Sequence, residues 1–94
     1  MSRDAYVEKL KGQIDQWNAQ IDQWEAKAKQ SEADAKIAYD RQLADLREKR
    51  NHAQQKLGEI QSAGDRAWED LKSGVEKAVA DMKASIERAS SQFE

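Results

Sequence analysis

The sequence predicts an all-α fold of the coiled-coil type, and three observations carry that expectation. The 94 residues contain no proline and only four glycines, beside abundant Ala, Glu, Lys, Gln and Arg. Pro and Gly are the strongest local breakers, so their scarcity among good helix formers favours helix nearly throughout. Large apolar side chains recur at alternating steps of three and four, the spacing that holds one helix face. High charge with few aromatics is also a signature of disorder. Here the net charge is only −2, and 38% of the residues are apolar and helically spaced, so a folded chain is expected.

The first element contains a tandem heptad, Gln13-Ile14-Asp15-Gln16-Trp17-Asn18-Ala19 followed by Gln20-Ile21-Asp22-Gln23-Trp24-Glu25-Ala26. In this register Val7, Ile14, Ile21 and Ala28 occupy a, and Leu10, Trp17, Trp24 and Ser31 occupy d. Trp at d is bulky, which predicts a wide or antiparallel packing.

Between Ala26 and Ala38 the only large aliphatic residue is Ile37, and the register lapses. A second seam begins at Leu43 and runs through Leu46, Arg50, Ala53, Leu57 and Ile60. Because Lys27-Ala28-Lys29-Gln30 contains neither Gly nor Pro, the reading predicts one long helix over about 3–61 with a stutter in its supercoil. The alternative is a turn near 29–33, with Ser31-Glu32-Ala33-Asp34 as a capping box, giving a three-helix bundle. A helix of about 59 residues would be roughly 89 Å long. It would lack enough partner surface in its own chain, so a homo-oligomer is expected. Leu10, Ile14, Trp17, Ile21, Trp24, Leu43, Leu46, Leu57 and Ile60 are the expected core and self-association residues.

Ser62-Ala63-Gly64-Asp65 is the clearest break. Gly64 is expected to end the helix in the left-handed conformation, with Asp65 or Ser62 capping the next one. An amphipathic helix over about 66–92 follows. Its apolar stripe is Trp68, Leu71, Val75, Val79, Met82, Ile86, Ala89 and Phe93, in which Leu71, Met82 and Phe93 show an eleven-residue spacing. Glu25–Lys29, Glu32–Lys36 and Asp45–Lys49 have the favourable acid-first order, each contributing only a few tenths of a kcal/mol. Burial of a large apolar side chain contributes roughly 1.5–3 kcal/mol, so the stripes decide the fold. The whole of 1–94 reads as a single domain.

Function classes are mostly excluded. Without cysteine there are no disulfides or thiolate metal sites. His52 is the only histidine, and Glu48 alone shares its helix face, so no metal or cofactor is expected. No nucleophile–base spacing or glycine-rich phosphate loop is present, and no carboxylate pair is marked for burial, so the chain is expected not to be an enzyme. Leu46 to His52 is the most basic stretch, but Glu48 interrupts it and the isoelectric point is near 5.5, which argues against nucleic acid. Arg50 reads instead as a polar layer that sets register. Trp17, Trp24 and Trp68 read as core rather than as a stacking platform. The opening Met1 to Lys9 has no apolar run of a signal peptide, and no segment matches a membrane span, so a cytoplasmic location is expected.

The C-terminal stripe also fits a helix lying on a lipid surface. Five Lys/Arg against six Asp/Glu from Arg66 to Glu94 disfavour that reading relative to burial. It stands as the alternative function.

Arg3-Asp4-Ala5-Tyr6, Glu32-Ala33-Asp34-Ala35-Lys36, and Ala67-Trp68-Glu69-Asp70-Leu71-Lys72 with Gly74-Val75-Glu76 resemble a family of short bacterial coiled-coil stress-response proteins. The resemblance spans almost the whole chain, and the Trp68 block is its most specific part. The C-terminal half is more weakly similar to apolipoprotein-type amphipathic helices. These likenesses imply a non-enzymatic structural or interaction protein linked to stress tolerance, and they carry over no catalytic residue.

Overall fold

A computed structural model describes residues 2–94. Three α-helices follow one another: α1 Arg3–Lys29, α2 Ala33–Ser62 and α3 Ala67–Phe93. The molecule is a rod of 51 × 18 × 17 Å. Short connections make α2 antiparallel to both neighbours, so α1 and α3 run parallel. The all-α expectation holds.

The long helix over about 3–61 does not form. The chain turns at residues 30–32, which is the alternative reading. Gln30 is still right-handed helical (φ −91°, ψ −5°), whereas Glu32 is extended (φ −69°, ψ 159°). The reason is tertiary. A straight helix would leave two apolar seams open to water within one chain. Folding back at three residues buries both, at the cost of a few helical hydrogen bonds. Local propensity gives way to packing.

Several local expectations change with that turn. Ser31 does not cap α2; its hydroxyl donates back to the Ala28 carbonyl at 2.6 Å, and Glu32, the N-cap, makes no side-chain bond. Ser31 therefore leaves the seam. At the second break no residue adopts positive φ, among the described residues. Ala63, extended at φ −78° and ψ 148°, ends α2 without a left-handed Gly64. Neither Asp65 nor Ser62 caps α3: its N-cap is Arg66, without a side-chain bond, and the Ser62 hydroxyl donates to Gly58 O at 2.8 Å. Among the described residues only α1 has a side-chain N-cap, Ser2 Oγ accepting from the Ala5 amide at 3.2 Å.

One continuous core fills the rod. Val7, Leu10, Ile14, Trp17, Ile21, Trp24 and Ala28 enter it from α1, and Leu43, Leu46, Ala53, Leu57 and Ile60 from α2. From α3 come Trp68, Val75, Ala78, Met82, Ala89 and Phe93. Leu71, Val79 and Ile86 pack against its margin, only partly buried. Thus α3 follows heptads: Trp68, Val75, Met82 and Ala89 alternate with Leu71, Ala78 and Ser85. The eleven-residue spacing is not its packing period. Both ends are closed by aromatics and by cations from α1. Trp24, Phe93 and Tyr39 stack at one pole, where Lys27 donates to the Phe93 carbonyl. Tyr6 meets Trp68 at the other, where Arg3 donates to the Ala63 carbonyl.

Candidate functional site

Every expected self-association residue from Leu10 to Ile60 lies buried inside this one chain. The long-helix argument for a homo-oligomer therefore lapses, since these seams already face one another. Trp17, Trp24 and Trp68 are core residues. His52 is exposed on α2. Among the described residues, no group of three His, Asp or Glu side chains is placed to hold a metal ion.

Polar contacts between helices fix register. Arg47 reaches Glu25 at 2.6 Å, so Glu25 is engaged across α1 and α2 and not in the expected pair with Lys29. Arg50 donates to Asn18 Oδ1 at 3.2 Å, forming the polar layer anticipated for that seam position. Between α2 and α3, the wholly buried Ser85 donates its hydroxyl to Asp45 Oδ2 at 2.6 Å. Arg88 approaches the same oxygen at 3.4 Å, and Lys49 lies 3.9 Å from Asp45 Oδ1 in the expected intrahelical pair. The Ser85 hydrogen bond, with Arg88 and Lys49 beside it, holds the Asp45 carboxyl below the ordinary carboxylate range against partial burial. No expected ion pair forms between Glu32 and Lys36 among the described residues, Glu32 lying in the turn and Lys36 in the first turn of α2.

A groove between the parallel helices α1 and α3 is open to another molecule. Its volume is about 710 Å³. Leu10 and Val79 form its floor, Tyr6 and Gly12 its α1 wall, and Glu76 and Lys83 its α3 rim. Burial raises the Tyr6 phenol above its ordinary value, and the nearby Glu76 carboxylate adds to the effect. Next to it, the Lys72 ammonium lies 4.6 Å from the Trp68 ring centroid and 5.4 Å from that of Tyr6, a cation–π arrangement that screens this end. A Cβ built on Gly12 would have nothing within 4 Å. The bundle itself therefore does not require glycine there, although glycine costs about 0.5–1 kcal/mol inside a helix relative to alanine.

Sequence reading found the apolar floor through Leu10 and Val79 but not the groove, because a groove depends on how far two helices stand apart. It also missed Ala78 and Ser85, whose signal was present: they lie at heptad steps from Leu71. Among the described residues, no helix is long and apolar enough to cross a membrane. No family model matches the chain, and neither a curated protein nor a solved structure similar to it was found.

Proposed function

We propose that the chain is a non-catalytic helical interaction protein that receives an amphipathic helix of another protein in the α1/α3 groove. The groove supports this reading through its shape and charge. A helix laid there antiparallel to α1 and α3 would complete a four-helix arrangement with alternating directions. Glu76 and Lys83 stand one heptad apart on α3, so they call for a base and an acid at the same separation on the incoming helix. Exposed Gly12 leaves room for close approach. A second copy is a poor donor of that helix, because its own stripes are internal and Ile37, 58% exposed, is its exposed large hydrophobic residue among the described ones.

The lipid-surface alternative is disfavoured by the same burial, since α3 would have to leave the bundle to expose its stripe. The resemblance carried by Ala67 to Lys72 and Gly74 to Glu76 would place such a module in the bacterial cytoplasm and in stress tolerance.

The test uses a three-turn synthetic helix with leucines toward the groove, an acid facing Lys83 and a base facing Glu76. Amide shifts of Gly12 and Val79 should move on titration, and Gly12→Leu should abolish the response. Exchanging the peptide's acid and base should weaken binding by about tenfold. Absence of shifts at saturating peptide, or equal binding to Gly12→Leu, would refute the groove.

A further inference from the structure

We infer that the turn at residues 30–32 is a hinge through which two copies of this chain exchange α1, forming a dimer with a continuous α1–α2 helix. This goes beyond groove recognition and does not rest on it, since both forms retain the groove.

The inference starts from how little holds the turn. Gln30-Ser31-Glu32 contains no glycine, proline or positive φ. Its local bonds are the Gln30 and Ser31 amides to Lys27 O and Ala28 O, both at 3.2 Å, and the Ser31 hydroxyl to Ala28 O. Straightening would replace them with ordinary helical bonds of the same kind. Because the Glu32 side chain provides no cap, α2 loses no side-chain N-cap when its start is absorbed into a longer helix. Charge adds a further term. Lys27 and Lys29 end α1 and Asp34 opens α2, so acidic and basic groups would follow one another along a joined helix without a like-charge block.

Everything else can be remade between copies. Val7, Leu10, Ile14, Trp17, Ile21 and Trp24 would enter the partner's core as they enter their own. Glu25–Arg47, Asn18–Arg50 and Lys27 to the Phe93 carbonyl would likewise form across chains. The two states differ at three residues, and the remaining difference is the entropy of joining two molecules. Concentration therefore selects between them, the situation in which segment exchange arises most readily. The joined helix, Arg3 to Ser62, would be about 90 Å long at 1.5 Å per residue.

Two substitutions pull the hinge in opposite directions. Ala33 is exposed and is the first residue of α2, preceded by extended Glu32, so Ala33→Pro suits the turn. In a continuous helix the same proline would lose a hydrogen bond and collide with the carbonyl of Lys29. Replacing Gln30, Ser31 and Glu32 together with alanine favours the straight form. Refolding at about millimolar concentration, followed by dilution and light scattering, should give a separable dimer for the native sequence. Its fraction should rise at least about fivefold in the alanine variant and vanish in Ala33→Pro.

Because the chain lacks cysteine, Lys11→Cys with Gln54→Cys gives a unique spin-label pair. Diluted into unlabelled protein before refolding, the dimer should show an intrachain separation near 65 Å, and the monomer a short one. Monomer alone for both the native and alanine-hinge chains would overturn the proposal. So would a dimer that persists in Ala33→Pro, or one whose intrachain labels stay close. Gly12→Leu should leave the exchange unchanged, which separates failure here from failure of the groove.

Discussion

The Ser85 hydroxyl, buried completely in α3, hydrogen-bonds the Asp45 carboxylate of α2 at 2.6 Å. Among the described residues it is the one fully buried polar side chain in a core otherwise built of apolar groups, and its acceptor lies on a neighbouring helix. A one-residue slip or rotation of α3 would take that hydroxyl away from Asp45, so the pair specifies alignment as well as adding stability.

Ser85→Ala should lower stability by about 1 kcal/mol at neutral pH, the typical net value of such a bond. Asp45 is partly exposed, and solvent screening keeps the effect at that modest level. The sign of its pH dependence follows from the lowered pKa. Asp45 contributes stability above its unfolded value and loses it as pH falls through the depressed folded value. Urea melts of both proteins should therefore differ at neutral pH and converge as the pH falls below the depressed folded value of Asp45. A gap that is constant across that range would show that Asp45 ionisation is not involved.

Much of this architecture was legible in the sequence because large side chains carry the pattern. Ile14, Trp17, Ile21 and Trp24 mark one seam, and Leu43, Leu46, Leu57 and Ile60 a second. The turn at 30–32 was not decided by local signals, because Gln30, Ser31 and Glu32 tolerate helix. What decides it is the gain from bringing distant seams together. The period of the third stripe is obscured in the sequence for a related reason. Ala78 and Ser85 are small, so the larger but only partly buried Val79 and Ile86 mask the true heptad positions. Groove width has no sequence signature at all.

The pole formed by Trp24, Phe93 and Tyr39 gives a second measurable expectation. Phe93 stacks on Tyr39 at 4.4 Å and on Trp24 at 5.3 Å between ring centroids. Phe93→Ala should cost about 3 kcal/mol, toward the lower end for loss of a buried aromatic because a helix end can relax into the space. Loss of near-ultraviolet circular dichroism should accompany it. Retention of that signal with unchanged stability would show that the last turn of α3 is not packed.

Depth in the core and exposure should separate two aliphatic residues of the same helix. Leu46 is 0% exposed and Ile37 is 58% exposed. Leu46→Ala should destabilise by about 2–5 kcal/mol, whereas Ile37→Ala should stay within about 0.5 kcal/mol of the native chain. Thermal melts of the two variants make the comparison. Similar losses at both positions would mean that Ile37 is covered in solution, as by a second molecule.

Gly12 and Gly58 offer a stability test of the opposite sign. Both lie inside helices, and a Cβ at either position would meet no atom within 4 Å. Alanine at each should raise stability by about 0.5–1 kcal/mol, because the unfolded chain loses more freedom than the folded one. The two sites should then diverge when the groove-directed peptide is added. Gly58 lies on α2, away from the α1/α3 groove, so its alanine variant should bind as the native chain does. Gly12→Ala puts a methyl group on the groove wall and should weaken binding while the protein itself becomes more stable. Denaturation and peptide titration on the same samples resolve both effects. Parallel changes in the two variants would mean that Gly12 has no special relation to a docked helix.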